Sequence, residues 1–258
     1  MNRTMTNTNL CIVVLKIANK QTMENPEHCI DEKSIMPVLE IDFLSREAIL
    51  KSFDQIAEKL FKGFQLHVNK SLYRLVDIEF YYFSKNIYED VYTHKHKDQL
   101  QNGKWYFHSS GIDITFGNGI NHGGILIRAI AKISSEASKD KYFIEKEIHG
   151  PLNVKTEICS NFNGVFEKET NIFQLKEING KMPNSIMYMP IRIIKTKRIG
   201  LNPEKGNSQK FYDEKLRYII FPHLKLRDKS QIALDMRKQF SEMTNAEINK
   251  ELGSTFLK

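Results

Sequence analysis

Two carboxylates lie in the middle of an apolar segment, YRLVDIEFYYF, at residues 73–83. Strand side chains alternate between two faces, which separates Asp77, Glu79 and Tyr81 from an unbroken apolar face. That apolar face consists of Val76, Ile78, Phe80 and Tyr82. A carboxylate within apolar chain is costly unless it is paired with a cation, solvated or used in chemistry. These three alternatives are open for Glu79.

Other residue types that bind metals or form disulfides are scattered. His94 and His96 in THKHK could bind a metal, but nothing nearby supplies further ligands, and the eight histidines form no HExxH spacing. The three cysteines, Cys11, Cys29 and Cys159, form no CxxC pair, which argues against a structural zinc site and a disulfide scaffold. We therefore expect no metal and no cofactor.

The motifs that commonly mark phosphate sites and serine hydrolases are missing from the sequence. It contains no Walker loop, no GxSxG elbow and no GxGxxG cradle. The glycine-rich stretch FGNGINHGG follows one strand-like run and precedes another, instead of opening a helix. We therefore interpret it as a turn.

The positive charge is concentrated in one segment. Residues 191–230 contain eleven Lys or Arg and four Asp or Glu, a surplus that equals the net charge of +7 of the whole chain. Concentrated positive charge attracts polyanions and speeds their association. A solvated basic surface is the other interpretation, and composition alone does not separate the two.

The composition is typical of a globular protein that folds in water. The chain has 258 residues, of which 41% are hydrophobic and 27% are charged, enough to bury a substantial core. No apolar stretch reaches the length of a membrane span, and LCIVVLKI, residues 10–17, is a poor match to a signal peptide. We expect an intracellular protein that does not enter a membrane.

The elements that must position Glu79 follow a helix. Ser45 can cap that helix, Gly63 can end it, and its apolar stripe runs from Ile49 to Phe61. Residues 1–38 lack periodicity, and we expect them to form an N-terminal arm of unknown role and residues 39–258 to form one domain. Strand-like runs follow the helix, and the tail, residues 229–252, is predicted to be helical. The strand-like runs are FQLHV, YRLVDIEFYYF, KWYFHSSGIDITFG, GGILIRAIAKI, MYMPIRIIK and LRYIIFPHL. We predict an α+β fold, a curved antiparallel sheet flanked by helices.

Five short motifs occur in an order that resembles one known family. They are RLVDIEFY, the aromatic-rich strand pair that ends in LIRAI, HGPLNVKTEI, RIGL and LRYII. This order is similar to that of the alkyladenine (3-methyladenine) DNA glycosylases, over residues 40–228. Each motif alone is weak, but their order and spacing together imply a glycosylase-like fold and activity.

The resemblance assigns roles to individual residues. In this family a carboxylate activates the water that attacks the sugar as the base leaves, and the matching residue is Glu79. Arg128 matches the arginine that helps to hold the water and the backbone phosphate, and the Ile199 carbonyl matches the third partner of the water. Tyr81 and His94 match residues that contact the flipped base. The alternative is structural, with Glu79 and Arg128 forming an ion pair, Tyr81 filling the core and His94 lying in a surface loop.

The sequence also departs from the family pattern. With Gly111 aligned to a family glycine, Phe107 takes the base-stacking position and Ser110 replaces the tyrosine that wedges into the duplex. Trp105, Tyr106 or His108 could then take the wedge role. A pocket asparagine falls near Gly117 or Asn118, and a glycine there is expected to open space. These differences indicate a base of another size or shape from an alkylated purine.

We therefore expect a monofunctional DNA glycosylase that hydrolyses a damaged or modified base, including one of the kind found in phage DNA, and leaves an abasic site. The alternative is a catalytically inactive nucleic-acid-binding paralogue; a hydrolase of small nucleosides is disfavoured by the segregated charge. From the basic segment we expect Lys195, Lys197 and Arg198 to contact the DNA backbone. We expect double-stranded DNA as the partner and a monomeric protein.

Overall fold

The computed structural model describes residues 39–136, 141–178, 191–205 and 209–258. The predicted N-terminal arm, residues 1–38, and the first residues of MYMPIRIIK lie outside the described residues. The described part is a mixed α+β fold with a curled antiparallel sheet and helices, so the coarse fold prediction is confirmed.

The first helix, α1, spans Arg46–Gly63 and has the predicted start and end. The hydroxyl of Ser45 accepts a hydrogen bond from the amide of Ala48 at 3.1 Å, which satisfies one of the free amides at the helix start. The predicted apolar stripe is buried against the sheet, where Phe53 stacks on Phe80 with ring centroids 4.8 Å apart.

Ten strands of the described ranges form one sheet, in which every pairing is antiparallel. The strands are β1 Phe64–Val68, β2 Ser71–Ser84, β3 Tyr88–Glu89, β4 Asn102–His108, β5 Gly111–Phe116, β6 His122–Glu136, β7 Lys141–His149, β8 Phe173–Glu177, β9 Ile194–Thr196 and β10 Arg217–Ile219. The sequence did not predict β3, β7 and β8. KWYFHSSGIDITFG forms two strands, joined by a turn at Ser109 and Ser110.

The strand that carries Glu79, β2, lies at the centre of the sheet. It pairs with β6 along most of its length on one edge, and with β1, β10 and β3 in turn on the other. The predicted apolar face of β2 is fully buried. Strands on both edges also bury Asp77 and Glu79, which explains why these carboxylates need partners.

The remaining helices lie in the second half of the chain. They are α2 Pro151–Ser160, α3 Gln209–Asp213, α4 Lys229–Gln239 and α5 Asn245–Leu252. The predicted helical tail is therefore two helices, and Thr244 caps the second by accepting a hydrogen bond from Glu247. The helix α2 begins directly after β7, and its first residue, Pro151, helps to line the pocket described below.

Candidate active site

Glu79 is completely buried, and its carboxylate accepts three hydrogen bonds. Its Oε1 atom accepts a hydrogen bond from the amide of Ile199 at 2.8 Å. Its Oε2 atom accepts from the hydroxyl of Tyr81 at 2.8 Å and from Nη1 of Arg128 at 3.2 Å. The sequence therefore indicated three of the residues that meet at this carboxylate. Ile199 contacts it through the amide, whereas the sequence predicted a role for the carbonyl.

Arg128 lies at a point where the register between β2 and β6 is irregular. Asp77 pairs with Ala129 and Ile78 pairs with Ile127, so Arg128 is an extra residue in β6. Such bulges bend a strand and change the direction of a side chain. The guanidinium therefore lies between two carboxylates, with Nε 3.9 Å from Asp77 Oδ2.

A second arginine completes a buried row of alternating charges. Arg217 in β10 donates to both carboxylate oxygens of Asp77, at 2.8 to 3.1 Å. The order Glu79, Arg128, Asp77, Arg217 thus places each charge beside an opposite one. Because removal of one member would leave a buried charge unpaired, this row fixes the position of Arg128.

Burial raises the pKa of Glu79. The charge of Arg128, the Ile199 amide and the Tyr81 hydroxyl act in the opposite direction, while Asp77 adds to the effect of burial. Burial and the neighbouring Glu79 carboxylate also raise the pKa of Tyr81 well above its ordinary range. The Tyr81 hydroxyl therefore stays protonated at neutral pH and donates its hydrogen bond to Glu79.

A cavity of about 320 Å³ lies against this group. Six of the predicted site residues line it: Tyr81, His94, His108, Ser110, Arg128 and Ile199. Glu79 lies directly behind two of them, because Tyr81 and Arg128 both bond to its carboxylate. The volume is at the lower end of the range that small-molecule sites occupy.

A second polar group forms another part of the cavity wall. His108 Nε2 lies 3.0 Å from Asp113 Oδ1, and Gln99 donates to Asp113 Oδ2 at 3.2 Å. The His94 ring stands edge-on to His108 at 4.8 Å. Partial burial lowers the pKa of His94, and the nearby His108 and Lys205 act in the same direction while Asp113 opposes them. His94 is therefore mainly neutral at neutral pH.

Several residues of this wall were not predicted from the sequence. They are Tyr92, Gln99, Asp113, Asn202 and Lys205. Asp113 carried the same signal as Glu79, since it is a carboxylate inside the apolar strand GIDITF. The other residues lie in loops or in the 3-10 turn Lys97–Leu100, where no periodic pattern distinguishes a pocket residue from a surface residue.

The predicted stacking of Phe107 on a flipped base gains no support from the position of its side chain. Phe107 is 42% exposed, it does not line the cavity, and its ring lies 5.8 Å from that of Phe173. Trp105, on the same face of β4, stacks on Phe173 at 4.1 Å, which also directs it away from the cavity. Tyr106 and His108 lie on the opposite face and stack at 5.1 Å, because neighbouring strand residues face opposite sides.

The β4–β5 turn is fixed against the start of α2. A Cβ atom on Gly111 would lie 2.9 Å from Pro151 Cβ, so the backbone approaches the helix as only glycine allows. The ammonium of Lys155 donates to the carbonyls of His108 and Ser109, at 2.7 and 3.2 Å. These contacts place Ser110, at the tip of the turn, on the edge of the cavity.

Gly117 does not open space in the cavity, contrary to expectation. A Cβ atom at this position would lie 2.1 Å from the carbonyl oxygen of Gln99 and 2.6 Å from Leu100 Cα. The backbone of the 3-10 turn therefore occupies the volume that a side chain would need. The small residue permits this close approach and so helps to position Gln99 in the wall.

The Arg198 side chain, predicted to contact the DNA backbone, has no exposed surface. It donates to both oxygens of Asp90, at 2.6 and 3.2 Å, and to the carbonyls of Phe80 and Phe211. Its guanidinium lies 4.5 Å from the centre of the Tyr81 ring. Arg198 thus supports Tyr81 from behind.

The two predicted DNA-contacting lysines beside Arg198 have carboxylate partners. Lys195 Nζ lies 2.6 Å from Asp54, and Lys197 forms an ion pair with Asp213. Both pairs are partly exposed, so the lysines are accessible, but nearby carboxylates offset their charge. The basic surplus of residues 191–230 is therefore weaker at the surface than composition indicated.

The described ranges contain no candidate metal-binding group and no candidate membrane-spanning helix. Within them, no three His, Cys, Asp or Glu side chains are arranged to hold a metal ion. His96, half of the histidine pair considered above, accepts a hydrogen bond from the Asp98 amide at 3.3 Å and begins the 3-10 turn. None of the helices in the described ranges is long and apolar enough to cross a membrane.

Comparison with known proteins shows a similarity to a viral protein. No family model matches the chain. The chain is 28% identical over 197 residues to an uncharacterized protein of Acanthamoeba polyphaga mimivirus, an alignment that covers 66% of this chain and 86% of that protein. The similarity supports a shared fold over most of both chains, and it carries no activity from one to the other.

Proposed function

We propose that the protein is a monofunctional DNA glycosylase related to the alkyladenine DNA glycosylases. The observation that carries the proposal is the Glu79 carboxylate, held by Arg128, Tyr81 and the Ile199 amide directly behind a cavity. A carboxylate in this position can act as a general base. The glycosylase-like form of the fold is part of the same proposal.

In the proposed reaction Glu79 takes a proton from a water molecule. The oxygen of the water bonds to the C1′ atom of the sugar while the bond between C1′ and the base nitrogen breaks, and the base gains a proton from solvent. The ionised carboxylate also stabilises the positive charge that develops on the sugar. Arg128 favours the ionised form of Glu79 and so supports both roles.

In this proposal the attacking water contacts Glu79 at Oε1. Each carboxylate oxygen can accept two hydrogen bonds, and Oε2 already accepts from Tyr81 and Arg128. Oε1 accepts a hydrogen bond from the Ile199 amide, and Ile199 also lines the cavity. We place the attacking water at Oε1, with the Ile199 carbonyl as a further partner.

The cavity has a size and a lining that suit a flipped base. The rings of Tyr81, His94 and His108 offer stacking surfaces, and Asp113 and Ser110 offer hydrogen-bonding groups. Enzymes that act on a base extrude it from the stack into such a pocket. A duplex DNA substrate, no cofactor and a monomeric intracellular protein belong to this proposal.

One observation favours a second candidate, a nucleic-acid-binding protein without activity. Glu79 has no exposed surface, and the Tyr81 hydroxyl covers one of its oxygens. If Tyr81 does not move, water reaches the carboxylate only through Oε1. The base-release experiment separates the two candidates.

The test is release of free base from DNA panels that carry alkylated, deaminated or phage-type modified bases. The proposal expects release by the native protein and a loss of about 100-fold or more in Glu79→Gln, with DNA binding retained. Glu145→Gln is the matched control, since Glu145 is an exposed carboxylate paired with Lys132 on another part of the sheet. DNA binding without release from any panel favours the second candidate, and equal release by both variants removes Glu79 from the mechanism.

A further inference from the structure

Two lysine ammonium groups lie beside the cavity without a carboxylate partner in the part of the chain that the structure describes. They are Lys155 in α2 and Lys205 in the loop after β9. They differ in this respect from Lys195 and Lys197, which pair with Asp54 and Asp213. Nearby carboxylates therefore offset the charges of Lys155 and Lys205 less than those of Lys195 and Lys197.

Lys155 is held at the β4–β5 turn by main-chain groups alone. Its ammonium donates to the carbonyls of His108 and Ser109, which uses two of its three N–H groups. The turn residues on either side of Ser109 both line the cavity. The third N–H group and the full positive charge are thus held at a fixed position on the edge of the cavity.

Lys205 brings a second charge to a different part of the wall. It lines the cavity and its ammonium lies 5.6 Å from the centre of the Tyr92 ring. The Tyr92 hydroxyl donates to the carbonyl of Asn202 at 2.7 Å, which fixes the ring on which the lysine rests. The charge of Lys205 also helps to lower the pKa of His94, which lines the same cavity.

We propose that Lys155 and Lys205 bind the two phosphates that flank the nucleotide whose base enters the cavity. A nucleotide within a strand carries a phosphate on each side, and two separate ammonium groups at one cavity mouth match that arrangement. Phosphate contacts fix the position of a nucleic acid without reading its sequence. The inference rests on the proposed DNA partner, but it does not require that the base be released.

The experiment is the salt dependence of binding to a fluorescent DNA duplex, measured by anisotropy. Log affinity falls linearly with log salt, and we use slope for the steepness of that fall. Replacement of one phosphate-binding lysine lowers this slope by about one. We therefore expect Lys155→Gln and Lys205→Gln each to lower the slope by about one, and the double variant by about two. Lys132→Gln is the matched control, because Lys132 pairs with Glu145 at 3.2 Å. Its slope should equal that of the native protein.

Lys155→Gln also removes two hydrogen bonds from the turn, so Lys155→Arg is added. Arginine retains the charge, and a native slope in Lys155→Arg with a lower slope in Lys155→Gln assigns the effect to charge. Unchanged slopes in both glutamine variants overturn the inference even if base is released. Lowered slopes without base release support the inference and reject the proposed enzyme activity. Absence of salt-dependent binding by the native protein overturns both.

Discussion

Arg128 Nη1 lies 3.2 Å from Glu79 Oε2, across a point where the register of two paired strands shifts. Without that shift the arginine would be an ordinary member of β6, with a neighbour directly opposite in β2. The ion pair satisfies the buried carboxylate, which is the structural alternative that the sequence left open. It also keeps a carboxylate beside a cavity, so the structural role and the proposed catalytic role are compatible.

Glu79 is expected to make the folded state less stable as the pH rises. Burial raises the pKa of its carboxyl group in the folded protein, whereas the unfolded chain has the ordinary value of 4.5. Below pH 4.5 both states hold the proton, and the stability that Glu79 contributes is fully present. That stability is lost as the pH rises through the pKa of the folded state. The measurement is the free energy of unfolding of native protein and Glu79→Gln from about pH 4 to about pH 8.

The free energy of unfolding of the native protein minus that of Glu79→Gln should fall as the pH rises. A difference that grows with pH would mean that Arg128 and the hydrogen bonds outweigh burial, so that the pKa of Glu79 is lowered instead. For catalysis the same shift predicts that the acid limb of the pH profile of base release lies above pH 4.5, since only ionised Glu79 can accept a proton.

Tyr81→Phe is expected to move that acid limb to higher pH. The variant removes the hydroxyl that donates to Glu79 Oε2 at 2.8 Å, a bond that lowers the pKa of Glu79, while the ring keeps its place over Arg198. The loss of one hydrogen bond should cost about 1 kcal/mol of stability. Tyr92→Phe is the control, because it removes a hydroxyl bond in the same cavity that does not involve Glu79. An acid limb that moves equally in both variants would contradict the claim that the Tyr81 hydroxyl lowers the pKa of Glu79.

The position of Glu79 could be predicted because its strand has a regular pattern. The alternation in residues 73–83 separates an apolar face, which packs on α1, from the face that carries both carboxylates. The signal was local and did not depend on which strands lie beside β2. The α1 stripe and the Ser45 cap were predictable for the same reason.

The face of β4 that meets the cavity could not be predicted in that way. Aromatic rings occur on both faces, since Trp105 and Phe107 alternate with Tyr106 and His108. Alternation defines two sets of residues but does not state which set faces inward, and a shift of one residue exchanges them. The short, partly exposed strand at Phe173, which covers the first set, had too weak a pattern to be recognised.

Distant partners were equally hidden from the sequence. Arg198 lies in a run of basic residues that indicates a solvated surface, yet its partner Asp90 is 108 positions away. Only the packing of β2, α3 and the loop before the 3-10 turn brings the two together. Net charge therefore overstated the number of free cations in this segment.

Arg198→Gln is expected to destabilise the fold far more than Lys197→Gln. Both side chains of the Arg198–Asp90 pair are fully buried, so loss of the arginine leaves an unpaired charge and should cost about 3 to 5 kcal/mol. The Lys197–Asp213 pair is partly exposed and should contribute less than about 1 kcal/mol. Urea denaturation measures both. Similar costs for the two variants would show that Arg198 is not a structural residue.

Gly117→Ala is expected to distort the cavity wall and destabilise the protein by about 1 to 3 kcal/mol, the usual cost of overpacking. The new Cβ would lie 2.1 Å from the Gln99 carbonyl oxygen, and backbone atoms cannot move aside as the end of a flexible side chain can. Displacement of Gln99 removes its bond to Asp113, so binding of DNA with an extruded base should weaken as well. Gly63→Ala is the control, because nothing lies within 4 Å of a Cβ there. Urea denaturation should show little change in the control, and an equally stable Gly117→Ala would mean that the 3-10 turn is not packed against this glycine.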